Sequence, residues 1–277
     1  MAYAVRFPKS LANVLEQTWR FDPDVQNPEL DYLDLQQSII DRHELLPEIL
    51  SDYLKPGDLV LEAGCGSCRW VHHLNRRGYR AVGVDHSSLI LRIMSRRDPS
   101  MHLAAGNVLA LPFRSESFDA VLSSYVFEHF QRGPLPALRE SYRVLKPGGL
   151  LFFIVPFNNL LRRFVTNRLL DAAYYYRGNG DLGFVEYRFG LRECRRALLA
   201  GGFDPLCFRA DDCFSDWNKG VTVDYRNLQF YWPELPPLRQ AFVLPAWAHR
   251  IFSAALRLYP WSCCGGITCV AEKKEQE

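Results

Sequence analysis

Leu59-Val60-Leu61-Glu62-Ala63-Gly64-Cys65-Gly66-Ser67-Cys68 carries a short apolar run directly into a turn holding two glycines. The apolar start reads as a buried strand. Glycine at a strand-to-helix turn lets the backbone approach a ligand closely, because no Cβ stands in the way. A G-x-G alone fits a tight turn without a ligand equally well, so its surroundings decide.

Those surroundings are rhythmic. Helical spacing over 69–77 is closed by Gly78, and 80–84 is again strand-like. A helix over 88–97 stops at Asp98-Pro99, before strands at 101–105 and 118–123. A helix over 134–145 ends at Lys146-Pro147-Gly148-Gly149, and the strand 150–155 is apolar throughout. A helix over 191–200 and strands at 204–209 and 266–271 complete the series. Continuously apolar strands alternating with helices predict a parallel sheet covered on both faces. The fold class is therefore α/β: a doubly wound, mostly parallel, seven-stranded Rossmann-like sheet with helical insertions.

Working outward, residues 1–30 read as an irregular leader, and apolar residues from Leu33 to Leu54 recur at helical spacing around Pro47. Residues 1–55 are thus a leader and helical cap, 56–272 the main domain, and 273–277 a charged tail. Insertions are expected at about 157–189 and 211–262. The first is read as a mobile cover, with Tyr174, Tyr175 and Tyr176 turned to an organic acceptor and Gly178, Gly180 and Gly183 as hinges. An ordinary static helical insertion is the competing reading.

The 277 residues are 48% hydrophobic and 23% charged, which excludes a disordered chain. Thirty-three basic against 31 acidic residues leave a net charge of +2, with no drive toward nucleic acid. The opening MAYAVRFPKS lacks the apolar core of a signal peptide. With eight Cys this favours reduced thiols and a cytoplasmic location. Cys65 and Cys68 form a C-x-x-C without a second ligand pair at zinc spacing, so no metal is expected. Residues 238–258, with Phe242, Trp247, Ile251 and Phe252 among Arg239, Arg250 and Arg257, read either as an ordinary helical cap or as an interfacial helix touching a membrane.

Asp85 closes the second strand, where an acid can accept from both ribose hydroxyls; Ser87 and Ser88 after it leave a helix-capping role open. Gly106-Asn107-Val108, Leu111-Pro112-Phe113, Phe118-Asp119-Ala120-Val121 and Leu145-Lys146-Pro147-Gly148-Gly149 follow in order. With the glycine turn and Gly83-Val84-Asp85, these segments resemble the class I S-adenosylmethionine-dependent methyltransferases, small-molecule branch, over about 31–210 with a return at 266–272.

The resemblance implies S-adenosylmethionine as methyl donor. It implies that Gly64 and Gly66, with Ala63 beside them and Glu62 beneath, cradle the methionine part. Asp85 would hold the ribose, His86 would lie near the adenine, and Asn107 and Val108 would border it. Ser123 and Ser124 would floor the pocket. Two positions depart from the pattern: Cys68 stands where a third Gly is usual, and Asn107 where Asp is usual. Glu128 and His129 after the fourth strand are the candidate catalytic pair, facing the acceptor or taking its proton. They could instead hold a metal ion, or simply cap or brace the next helix, the reading the sequence favours. The function implied is methylation of O, N or C on a small organic or lipid-like acceptor. The alternatives are a non-catalytic binding protein and a peripheral membrane methyltransferase.

Overall fold

The structure, a computed structural model, describes residues 2–9, 33–34, 36–37, 40, 45–177, 182–211, 254, 258–262 and 264–274. The elements are β1 (Tyr3–Pro8), α1 (Leu46–Tyr53), β2 (Leu59–Ala63), α2 (Arg69–Arg76), β3 (Arg80–Asp85), α3 (Ser88–Arg97), β4 (His102–Ala105) and β5 (Phe118–Ser124). Then come α4 (Leu135–Val144), β6 (Leu145–Pro156), α5 (Asn167–Arg177), β7 (Leu182–Arg188), α6 (Leu191–Ala200), β8 (Phe203–Asp211) and β9 (Gly266–Lys273).

Seven strands form one sheet in the order β4-β3-β2-β5-β6-β9-β8. The pairs β3–β4, β2–β3, β2–β5 and β5–β6 are parallel. Only β9 runs antiparallel, to both β6 and β8. The unbroken apolar character of the central strands has a direct cause: alternate side chains enter two separate cores. Leu61, Val121, Leu151 and Phe153 pack on one face with Leu138 and Leu198. Val60, Ala120, Leu122, Phe152 and Ile154 pack on the other with Trp70, Leu74 and Met94. Chain order reverses between β2 and β5, so their carboxyl ends open a crevice of the kind that holds ligands in doubly wound sheets.

Two expectations need correction. Residues 3–8 are not irregular: β1 pairs antiparallel with β7, from Tyr3 opposite Arg188 to Pro8 opposite Leu182. Alternation explains the pairing, because Val5 and Phe7 are buried with Leu170 and Ala173 beneath the ribbon. Nor does the charged tail begin at Lys273. Lys273 belongs to β9, is buried, and donates from Nζ to the Leu145 carbonyl at 2.7 Å. Gly178 and Gly180 of the expected hinge, and residues 238–253 and 255–257 of the membrane reading, lie outside the described residues. No helix among the described residues is long and apolar enough to cross a membrane.

Candidate active site

The turn after β2 is fastened to β3: the Gly64 and Cys65 amides both donate to the Val84 carbonyl, at 2.8 and 2.9 Å. Gly64 (φ +82°) and Gly66 (φ +45°) are both left-handed. They differ in what a side chain would meet. A Cβ on Gly64 would come within 2.6 Å of Val126 Cγ2, whereas a Cβ on Gly66 would meet nothing within 4 Å. Gly64 is therefore required by packing, and Gly66 faces open space. Cys68 takes the third glycine position at φ +59°, fully buried, with its Sγ 3.7 Å from that of Cys65. Tyr125, directly after β5, is also left-handed. Two of the non-glycine residues in this costly conformation thus border one crevice.

Glu62 is buried beneath the turn and accepts the Val71 amide on Oε2 at 2.9 Å, tying β2 to the first turn of α2. Burial outweighs that hydrogen bond and the Arg69 charge, and pushes its carboxyl up to about 8. Asp85, at the end of β3, accepts the Gly66 amide at 2.9 Å and the Ser87 amide at 2.8 Å. The cap of α3 is Ser87, whose hydroxyl faces the Ile90 amide, so Asp85 is not that cap. His86 is exposed, with Nδ1 3.3 Å from Asp85 Oδ1. Ala63 and Val108 are buried. The Asn107 side-chain oxygen accepts the Leu109 amide at 2.9 Å within a turn. That oxygen is therefore already engaged, a competition that spacing alone did not reveal.

Ser123, at the carboxyl end of β5, is wholly buried, and its hydroxyl has no partner among the described residues. Neither oxygen of the buried Glu128 makes a hydrogen bond there either. Burial drives the Glu128 carboxyl well above the usual range, with the nearby Glu186 charge acting the same way, which favours its uncharged form. His129 donates from Nδ1 to the Val185 carbonyl on β7 at 3.0 Å; this places the acceptor nitrogen Nε2 3.6 Å from Glu128 Oε1. Burial lowers its pKa against the pull of Glu186, favouring the neutral ring. The β1–β7 ribbon, absent from the sequence reading of this site, thus orients His129 through a backbone carbonyl. Glu128 and His129 contact each other, which a mere helix brace does not require.

Residues 61–153 match the model of the methyltransferase domain family. A demethylmenaquinone methyltransferase from Streptomyces griseus is 29% identical over 134 residues, 46% of this chain and 58% of that protein. A human probable tRNA methyltransferase 9B is 35% identical over 103 residues, 36% of this chain and 22% of that protein. The chain spans about half the length of the first of these relatives, and less of the second. Among solved structures, an S-adenosylmethionine-dependent methyltransferase from Methanosarcina mazei superposes with a TM-score of 0.56 at 18% identity, covering 82% of this chain and 98% of that one. Residues 61–153 are thus similar to the methyltransferase domain family, and the fold is one shared with methyltransferases of known structure.

The residues at the crevice fit S-adenosylmethionine, the methyl donor named for the matched Methanosarcina mazei structure. Gly66 leaves room where a side chain would intrude, Asp85 brings an acid to the strand end, and the Ser123 hydroxyl lacks a partner.

Proposed function

We propose that this protein transfers a methyl group from S-adenosylmethionine to a small organic or lipid-like acceptor. The observation that carries the reading is the open Gly66 turn beside Asp85 at the sheet's reversal point. Gly64, Gly66 and Ala63 would hold the methionine part over Glu62. Asp85 and His86 would face the ribose and adenine edge, Asn107 and Val108 would border the ring, and Ser123 would floor the pocket. S-adenosylmethionine supplies an activated methyl group. The protein's task is alignment and exclusion of water, and alignment alone contributes on the order of 7–11 kcal/mol. A neutral His129 whose Nδ1 is held by the Val185 carbonyl offers Nε2 to an acceptor's proton, with Glu128 beside it as an uncharged neighbour. The Cys68 and Asn107 departures favour a second reading, a binding protein without turnover. That protein would take up the donor and leave it unconverted in a metabolite extract.

Titration calorimetry tests the first step. S-adenosylmethionine and S-adenosylhomocysteine are expected to release heat and NAD none; silence with both adenosyl ligands at millimolar concentration removes the proposal. Asp85→Ala is expected to weaken either ligand by ~1–3 kcal/mol, since ribose hydroxyls and the Gly66 amide lose their acceptor. An unchanged affinity would separate Asp85 from the cofactor. Asn107→Asp is expected to leave affinity equal or better: one carboxylate oxygen keeps the Leu109 amide while the other offers a charged acceptor. A large loss in a folded variant would show that the Asn107 amide N–H is the working group.

A further inference from the structure

A cleft of about 540 Å³ opens between β1 and the segment after β6, with Tyr3, Arg6, Asn158, Arg163, Arg168 and Asp171 on its walls. The exposed guanidinium groups of Arg163 and Arg168 share the cleft with the Asp171 carboxylate. That carboxylate is already engaged, because the Tyr3 hydroxyl donates to Asp171 Oδ1 at 2.9 Å. Neither Arg163 nor Arg168 has a carboxylate partner among the described residues, and both are exposed.

Their convergence has a backbone cause. Residues 162–166 form a π-helical turn leading into α5. Residues five apart would point roughly 140° away from one another on a regular α-helix. Bonding of the i→i+5 type turns them toward the same face. Arg163 and Arg168 are five apart and line the same cleft. The turn is held by buried groups: Asn159 Oδ1 accepts the Arg162 amide at 2.7 Å, and Arg162 Nη1 donates to the Phe157 and Gly265 carbonyls at 2.7 and 2.8 Å. Behind the wall, the fully buried Arg188 donates to Asn167 Oδ1 at 3.1 Å and is itself paired with Glu186, Nε to Oε1 at 3.5 Å, so it braces α5.

The cleft lies past the carboxyl end of β6, on the ligand edge of the sheet. β1, which lines the cleft, pairs with β7, whose Val185 carbonyl holds His129. We propose that this cleft binds the phosphate or diphosphate group of the acceptor, held by the Arg163 and Arg168 forks. The proposal rests on the methyltransferase reading for the word acceptor, but not for the binding of the anion. Guanidinium forks match phosphate oxygens two at a time, which suits a doubly charged group better than a single carboxylate. The exposed Phe164, Val165 and Leu169 on the same segment leave room for an apolar tail.

The test titrates the full chain with inorganic pyrophosphate, and separately with phosphatidylcholine vesicles carrying phosphatidic acid. The double variant Arg163→Ala/Arg168→Ala is compared at equal ionic strength. Binding of at least one probe is expected, weakened at least tenfold in the double variant, with melting temperature and S-adenosylhomocysteine affinity unchanged. Pyrophosphate alone bound identifies a soluble phosphoester, and acidic vesicles alone a lipid headgroup. Neither probe bound, or both bound equally well by the double variant, overturns the proposal. A chain that takes pyrophosphate but no adenosyl ligand loses the methyltransferase reading and keeps the anion cleft.

Discussion

Gly66→Ala is expected to fold and to lose adenosyl-ligand affinity about 100-fold or more, roughly 2.7 kcal/mol. Gly64→Ala is expected to lose the fold's stability instead. The two glycines sit in one turn and share the left-handed conformation, so both variants carry the ~1–2 kcal/mol strain of a Cβ there. Only at Gly64 does the new methyl collide, with the Cγ atoms of Val126 at 2.6 and 2.7 Å. Val126 is β-branched and stiff, and its neighbour Phe127 is fully buried, so relief means moving the core. Overpacking of that kind adds ~1–3 kcal/mol. Urea denaturation and titration calorimetry on both variants separate the effects. A Gly66→Ala protein that binds S-adenosylhomocysteine as well as the parent would remove the turn from the cofactor site.

Glu62→Gln is expected to flatten the pH dependence of stability. The Glu62 carboxyl titrates near 8 in the folded chain and near 4.3 when unfolded, so between those limits the folded state holds the extra proton. Stability from this group is therefore fully present below pH 4.3 and is lost as pH rises toward 8. One proton over that window corresponds to a loss on the order of 3–5 kcal/mol. The buried Glu128 acts in the same direction. His129, whose pKa is lowered by burial, acts oppositely, losing stability as pH falls below 6.5. The difference between parent and Glu62→Gln isolates Glu62, and the amide oxygen of Gln can still accept the Val71 N–H. Denaturant midpoints measured from pH 5 to 8.5 decide it: parallel curves for the two proteins would mean that Glu62 titrates normally.

Much of this architecture was readable from local signals. Gly78, Pro99 and Lys146-Pro147-Gly148-Gly149 punctuate α2, α3 and α4 within a residue or two, and the limits of α3 and α6 coincide with the sequence reading. Such punctuation works because the stop residues act on the backbone beside them. The β1–β7 ribbon was not readable. Its strands stand far apart in sequence, and β7 shows no clean alternation, being half-buried along most of its length. Pairing of that range is settled by tertiary contact. The same limit explains the site. Gly64, Gly66, Asp85 and Ser123 were candidates from motif order, but the commitment of the Asn107 oxygen to Leu109 and of His129 to Val185 depends on folded neighbours. Tyr174, read as a grip on the acceptor, instead accepts the Arg6 amide at 3.0 Å, and Tyr175 and Tyr176 stand in solvent.

The position of β9 bears on how the chain is made. It is synthesised after every other strand of the sheet, yet it lies between β6 and β8. Until it emerges from the ribosome, β6 has an open edge and β8 has no sheet neighbour to join. Both then present unpaired backbone groups of the kind that recruit foreign strands. A nascent chain stalled short of Gly266 would carry two exposed edges beside an otherwise assembled core. Insertion of β9 closes the β6 edge and gives β8 its sheet neighbour at once, so a single strand completes both pairings.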